Sequence, residues 1–145
     1  MPSPDLNNYL AYLLASANRT MSIGLVKAIA KEKMTEQHWR ILQALSDENG
    51  RVMGELAEQV LMNHPALTKN IDKLVSSGLV MRKTSMEDSR KVLVFISDKG
   101  LAAVQRLTPQ VDAHHQSIDK LLGHRKTAQL KKLLDDFVRD SAMHN

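Results

Sequence analysis

The chain of 145 residues contains no cysteine, which excludes disulfides, thiol nucleophiles and cysteine-ligated metal centres. Aromatic residues make up 3% of it, so its core must be built mainly from aliphatic side chains. No apolar run approaches the roughly 20 residues that cross a bilayer, and the amino terminus has no signal-like pattern. From these absences we expect a cytoplasmic protein that has no membrane partner.

Catalytic motifs are also missing. The six histidines and many serines are not accompanied by a nucleophile elbow, a phosphate-binding loop or HExxH spacing. We therefore predict that the protein is not an enzyme and uses no cofactor. His114, His115, Asp112 and Asp119 are metal-ligand residue types, but adjacent helical histidines point about 100° apart. We interpret His115 as an interface histidine on an apolar stripe and predict no metal site.

The charge of the chain is basic and is concentrated in one segment. The formal net charge is +4, and residues 64–91 contain six Lys or Arg side chains against three carboxylates. A basic net charge favours an anionic partner, but it does not prove that such a partner exists. The position of the charge is therefore the stronger indication.

The same segment has the pattern of a short helix followed by a β-hairpin. Pro65 suits the first position of a helix, and Gly78 suits the residue that follows it. One face of this helix is apolar, and the opposite face is polar and mostly basic. The runs 79–82 and 92–96 are apolar and β-branched, with a charged tip between them. A basic helix and a basic hairpin are what a winged helix-turn-helix uses to contact double-stranded DNA.

The remaining chain predicts five more helices. One long amphipathic helix is expected from Asp5 to about Lys31, and Thr35 should cap a helix that ends near residues 49–50. A short helix follows at residues 53–60. Two further helices are expected over residues 97–143, separated by Gly123, with Pro109 bending the first of them. The predicted fold class is mainly α with a small β-hairpin wing (α+β).

The first helix and both helices of residues 97–143 carry apolar stripes. A winged module of about 60 residues has too little surface to bury all three. Leaving them in water would forfeit many kcal/mol at about 25 cal/mol per Å². We therefore predict a homodimer. Residues 1–145 would form one domain, with residues 34–97 as the winged helix-turn-helix module and residues 1–33 and 98–145 as a helical dimerisation layer.

Four segments resemble the MarR (multiple antibiotic resistance regulator) family of bacterial winged-helix transcription factors. They are MTEQHWRIL (34–42), GELAEQV (54–60), ALTKNIDKLVSSGLVMR (66–82) and EDSRKVLVFISDKG (87–100). The resemblance implies a sequence-specific regulator that binds a pseudopalindromic operator as a homodimer, with repression relieved by a small molecule. Two alternatives stay open: a dimeric DNA-binding or architectural protein without an effector and, more distantly, a protein-interaction scaffold.

The candidate DNA-binding residues lie in the predicted recognition helix and wing. Where the family often has Thr-Arg, this chain has Thr68-Lys69, and a lysine cannot form the bidentate fork to guanine. Lys69 is therefore expected to anchor a phosphate or to make a single bond to a base. His64 is interpreted either as a base contact or as a neighbour of the cap without a role. The full set is His64, Pro65, Thr68, Lys69, Lys73, Arg82, Asp88 and Arg90.

In the wing, Arg90 is expected to reach a minor groove, where narrow A·T tracts concentrate negative potential. Asp88 either braces an arginine, which the resemblance favours, or acts as a turn aspartate that bonds its own backbone. Arg82 is either a solvated charge or a phosphate contact.

The candidate effector residues are Arg19, His38 and Trp39. A cation and an aromatic wall would suit a small planar aromatic acid. For Trp39 a core position is the stronger interpretation. Arg19 is interpreted equally well as a solvated charge or as part of a dimer salt bridge.

Overall fold

The computed structural model describes residues 3–144, which form a mostly helical protein with one small antiparallel sheet. The elements run in the order α1 (Leu10–Ile29), α2 (Glu36–Leu45), β1 (Arg51–Val52), α3 (Met53–Val60), α4 (His64–Ser76), β2 (Val80–Thr84), β3 (Val92–Ile96), α5 (Asp98–Leu122) and α6 (His124–Met143). The predicted fold class is confirmed. None of the helices within residues 3–144 combines the length and the apolar character that a membrane crossing needs.

The sheet contains the predicted hairpin and a third strand that the sequence did not reveal. β2 pairs with β3 along its whole length, with Arg82 opposite Val94. β1 pairs with the other edge of β3, so the strand order is β1-β3-β2. Two residues are too few to show a period-2 pattern, so β1 was missed, and its strand conformation depends on the partner β3.

The first predicted helix is interrupted near its start. A 3₁₀ turn covers Leu6–Asn8, Tyr9 is extended with φ −104° and ψ 120°, and α1 begins at Leu10. Asp5 does act as a cap, but for the short turn, where its side chain accepts the N–H of Asn7 at 3.1 Å. The prediction of one continuous helix from Asp5 was therefore wrong at its first turn.

The caps of α2 and α4 are formed by side chains. The Thr35 hydroxyl accepts the N–H of His38 at 3.1 Å, and the Asn63 side chain accepts the N–H of Ala66 at 2.9 Å. Because Asn63 is the cap, His64 is the first helical residue and Pro65 the second, one position later than predicted. Either position tolerates a residue without an N–H donor, since the first turn of a helix has no intrahelical acceptors for those donors.

The chain divides into two compact units, one ending at Val111 and the other beginning at Asp112. The core of the first unit is aliphatic apart from Trp39, and it includes the first half of α5: Val104, Leu107 and Val111 are at most 9% exposed. From the sequence we expect the winged module to be too small to bury the apolar stripe of this helix. That expectation was wrong, because α5 packs directly into the core of the module.

Each unit nevertheless exposes apolar side chains. In the first unit, Leu10 and Ile23 of α1 are more than half exposed. In the second unit, Leu133, Phe137 and Val138 of α6 are 66%, 57% and 65% exposed. On α6, Leu133 and Phe137 are four residues apart and share one face, which is the pattern of a face that normally packs against another element.

The start of α5 packs closely against the residues that follow α4. The Ser97 N–H donates to the Leu79 carbonyl at 3.0 Å, and the Ser97 hydroxyl donates to the Gly78 carbonyl at 2.6 Å. Gly100 lies so close that a Cβ there would be 2.2 Å from the Leu79 oxygen. Glycine is therefore required at position 100. The contacts of Ser97 and Gly100 with residues 78–79, which we call the joint, hold α4, the β2–β3 hairpin and α5 together.

The left-handed residues that follow α3 and α4 are of different types. Gly78, with φ 75°, follows α4 as predicted. Leu61 follows α3 with φ 61° and ψ 45°, and its side chain is 81% exposed. A non-glycine residue in this conformation costs about 1–2 kcal/mol, and the exposed Leu61 side chain recovers little of it through burial.

We therefore expect Leu61→Gly to raise the free energy of unfolding, by up to about 1.6 kcal/mol. This is the relief of about 1–2 kcal/mol less the roughly 0.4–1 kcal/mol that glycine adds to unfolded-chain entropy. Gly78→Ala should lower it by about 1 kcal/mol, since a new Cβ would meet Lys99 Cδ at an ordinary 3.7 Å and the cost is in the backbone. Urea unfolding at one protein concentration measures both variants. A destabilised Leu61→Gly would contradict the assignment of strain.

Candidate nucleic-acid interface

The recognition helix α4 separates apolar from polar residues cleanly. Leu67, Ile71 and Leu74 are buried in the core. All five candidate DNA-binding residues of this helix are exposed: His64, Pro65, Thr68, Lys69 and Lys73. The apolar period of the sequence thus places these side chains where a ligand as large as a DNA duplex can reach them.

A groove of about 420 Å³ lies between the amino-terminal half of α4 and the wing. It brings together three of the predicted residues, His64 and Thr68 from the helix and Arg90 from the wing. The groove is also lined by Met53 and Lys91, which were not among the candidates. Lys91 was detectable as part of the basic segment, whereas Met53 carried no signal in the sequence.

At the wing tip, Asp88 forms the backbone bond of a turn aspartate and only a weak ion pair with Arg90. One Asp88 oxygen accepts the backbone N–H of Arg90 at 3.0 Å, which is the bond of an ordinary turn aspartate. The same oxygen lies 3.7 Å from Nε of Arg90, which is the brace. The Arg90 side chain is still 94% exposed. A weak, exposed pair of this kind leaves the guanidinium free to contact another anion.

Arg82 has a partner within the chain that neither prediction for it named. Its guanidinium forms an ion pair with Asp72 on the exposed side of α4, so it is not simply solvated. The pair joins the base of the wing to the recognition helix. Next to it, Lys83 Nζ lies 5.3 Å from the centre of the Phe95 ring, which is within the range of a cation–π contact.

The three effector candidates are not brought together in one cavity. Trp39 is 3% exposed and belongs to the core, in agreement with the core interpretation. Arg19 is exposed on α1. His38 lines a cavity that neither Arg19 nor Trp39 borders, and Lys73 of α4 also lines it. Burial, together with the nearby charge of Lys73, lowers the pKa of His38 below its usual value.

Within the part of the chain that the structure describes, we find no metal-binding site. No group of three or more His, Asp or Glu side chains is arranged there to hold an ion. His115, which we expected at an interface, is exposed on α5, and His124 pairs with Asp119 at 3.1 Å.

Comparison with known proteins points to one family. The model of the MarR family matches residues 34–92, which are most of the winged module and stop at the first residue of β3. FarR, a transcriptional regulator of Neisseria gonorrhoeae, is 27% identical over 86% of this chain and 92% of its own. The homoprotocatechuate degradative operon repressor of Escherichia coli is 27% identical over 76% of this chain and 74% of its own.

Solved structures agree with the sequence relatives. A mutant of MarR from E. coli, complexed with operator DNA, superposes with a TM-score of 0.85 at 27% identity, covering 92% of this chain and 99% of that one. NadR in complex with 4-hydroxyphenylacetate superposes with a TM-score of 0.79 at 26% identity, covering 94% and 97%. These similar proteins are regulators of transcription and not enzymes.

The Asp72–Arg82 pair generates a prediction about DNA affinity. Asp72→Asn should strengthen binding to DNA, because it removes a negative charge from the exposed side of α4 and releases Arg82 for a phosphate. If one extra phosphate is contacted, the slope of log K against log salt should steepen by about one unit. Fluorescence anisotropy over a salt series measures this slope.

The matched control is Asp140→Asn on α6, which makes the same change in net charge within the second unit. An equal gain in both variants would show that net charge, and not the Asp72–Arg82 pair, is responsible.

Proposed function

Since the chain belongs to the MarR family of DNA-binding transcriptional regulators, we propose that it is a ligand-responsive repressor that binds a pseudopalindromic operator as a homodimer. The observation that carries this proposal is the groove in which α4 and the wing converge. His64, Thr68 and Arg90 line it together, although Arg90 is far from the other two in sequence. In a winged helix-turn-helix the recognition helix and the wing contact the same duplex. A protein groove that both elements line is suited to that contact.

In this proposal the first half of α4 lies in the major groove. His64, Pro65, Thr68 and Lys69 are exposed on its outward side, so the base edges meet this half of the helix. A lysine is a point charge with no planar fork, so Lys69 acts mainly as a phosphate anchor. Arg90, at the exposed wing tip, enters the neighbouring minor groove. Arg82 and Asp88 position the wing: the first pairs with Asp72, and the second shapes the turn that presents Arg90.

The two contacts predict different losses of binding. Lys69→Ala should weaken binding to all sequences and make the salt slope shallower by about one unit, as expected when one phosphate contact is lost. Arg90→Ala should weaken binding most on sites with A·T-rich flanks, because a narrow minor groove attracts arginine. Anisotropy titrations on an operator selected from a random DNA pool, with A·T-rich or G·C-rich flanks, measure both effects.

Lys126→Ala on α6 is the control that lowers the net charge equally outside the proposed interface. The wing assignment fails if Arg90→Ala binds operator and scrambled DNA as tightly as the wild type.

We infer that the dimer forms through the helices outside the winged module. The proposed dimerisation layer, residues 1–33 and 98–145, contains the exposed apolar residues of α1 and α6. Because a second copy of the chain would cover these side chains, a homodimer removes a large apolar surface from water. A two-fold dimer also places two α4 helices on half-sites about one turn, roughly 10 base pairs, apart.

Leu133→Asp or Phe137→Asp should therefore abolish the dimer, because either change would bury an unpaired charge in the interface. The product should be a monomer or an aggregate with little operator affinity. Gln129→Asp, an exposed polar position on the same helix, should leave the dimer intact. Sedimentation equilibrium at micromolar concentration measures the assembly. A well-folded wild-type monomer would rule out the proposal.

The effector in this proposal is a small planar aromatic acid. A similar protein, NadR, was solved with 4-hydroxyphenylacetate, and Arg19, His38 and Trp39 were the candidates from sequence. Helix α2, which carries two of them, is joined to α1 by a 3.1 Å hydrogen bond from Ser22 to Glu36. An acid that prefers one dimer geometry by about 1–3 kcal/mol would weaken operator binding roughly 5- to 150-fold. If no acid in a panel releases the operator, the effector-free regulator is the better account.

A further inference from the structure

The wing tip, residues 85–91, carries one large apolar side chain. Met86 is fully exposed, more than any other large apolar residue that the structure describes. An exposed apolar side chain is ordinary on a protein surface, so its meaning depends on its position. Met86 lies on the part of the hairpin that presents Arg90, whose side chain is 94% exposed.

The register of the hairpin places Met86 beside Arg90. β2 and β3 are paired antiparallel up to the tip, and one step further the Ser85 N–H donates to the Lys91 carbonyl at 2.9 Å. The next pair in the same register consists of Met86 and Arg90. Residues that are opposite each other in an antiparallel pair are near neighbours. A wing that brings Arg90 to DNA therefore brings Met86 to the same place.

The tip that carries the two side chains is held by its own hydrogen bonds. The Ser85 hydroxyl accepts the N–H of Glu87 at 3.2 Å and that of Asp88 at 3.4 Å. The Asp88 carbonyl accepts the N–H of Lys91 at 3.0 Å. Because the backbone on both sides of the tip is already in one geometry, a contact made by Met86 costs little ordering of the loop.

The tip has no net charge that would attract DNA. Within residues 85–91, the cations Arg90 and Lys91 are balanced by the carboxylates Glu87 and Asp88. Attraction to the phosphates therefore acts through single cations and is opposed by the two carboxylates. Burial of an apolar side chain is a further source of affinity that does not depend on charge, and Met86 is the residue of the tip that can supply it.

We propose that Met86 enters the minor groove beside Arg90 and inserts its side chain partly between two base pairs at a flexible step. This inference rests on the proposed function, because it needs the wing to lie on the minor groove. Methionine is one of the apolar residues that act as wedges in minor-groove proteins, and its unbranched side chain adapts to an irregular opening. Pyrimidine–purine steps such as TpA unstack most easily. The wing thus discriminates between flexible and stiff steps.

The test uses the full-length chain and three variants. Met86→Gln keeps the length of the side chain and makes it polar, whereas Met86→Leu keeps it apolar. Met81→Gln is the matched control, since it makes the same change on β2 outside the tip. The fully exposed position of Met86 predicts that both of its variants unfold at the same urea concentration as the wild type.

The DNA is an operator selected from a random pool, with a single TpA step moved through an otherwise ApA flank, so that A·T content stays constant. We expect the wild type to prefer one position of the step in anisotropy titrations. Met86→Gln should lose about five- to tenfold in affinity there, as for partial burial of one apolar side chain, and little elsewhere. Met86→Leu should stay within about twofold of the wild type, because leucine and methionine are similar in volume. Met81→Gln should bind like the wild type.

Two further measurements distinguish an inserted apolar side chain from a charge contact. The slope of log K against log salt should be the same for Met86→Gln and the wild type, because an apolar contact releases no counterions. The fluorescence of 2-aminopurine at the preferred step should rise when the wild type binds, since the base loses stacking, and should stay low with Met86→Gln.

Several results would overturn the proposal. One is equal affinity of the wild type and Met86→Gln for every flank. Another is a loss in Met86→Gln that is the same with and without the TpA step, which would make Met86 a contact without step preference. Constant 2-aminopurine fluorescence on wild-type binding would show that the step remains stacked. An equal loss in Met81→Gln would assign the effect to the hairpin as a whole. Failure of the repressor proposal is seen separately, because the wild type would then select no sequence from the random pool.

Discussion

The close approach of α5 to the backbone that follows α4 is the constraint on which the rest of the structure depends. Ser97 bonds to the carbonyls of Gly78 and Leu79, and Gly100 has no room for a Cβ. Lys99 adds a 2.8 Å bond from its ammonium to the Ser77 carbonyl at the end of α4. The end of the recognition helix, the first strand of the wing and the helix that leads out of the module are thereby held in one geometry. The Lys99 bond also provides a partner for the Ser77 carbonyl, which the end of α4 leaves without an intrahelical donor.

This joint gives the two ends of α4 different surroundings. The amino-terminal half is open to solvent beside the wing, where His64 and Arg90 share a groove. The carboxyl-terminal half borders a cavity that is rich in lysine, and there Lys73 lies near the buried His38. The two halves of one helix therefore have different chemical surroundings, the first beside the wing and the second beside this cavity.

Local patterns in the sequence were sufficient where the cause of a structure is itself local. Thr35 caps α2, Gly78 ends α4 and Val92–Ile96 forms a strand, because caps, left-handed residues and apolar period act over a few neighbours. Leu61 was missed since an exposed leucine carries no signal for a left-handed conformation. β1 was missed because its two residues become a strand through the partner β3. The burial of the first half of α5 in the core was missed, because an apolar stripe does not reveal which surface it contacts.

By itself, the sequence determined the helical and hairpin elements, the basic side of α4 and the resemblance to the MarR family, because these depend on residue type and on short spacings. The tertiary structure alone decided the pairing of Arg82 with Asp72 and the burial of the first half of α5. It also decided the grouping of Lys33, Lys73 and Lys99 around one cavity. Such groupings join residues far apart in the chain. A periodic pattern states which side of a helix is apolar, but the packing of helices decides which distant charges become neighbours.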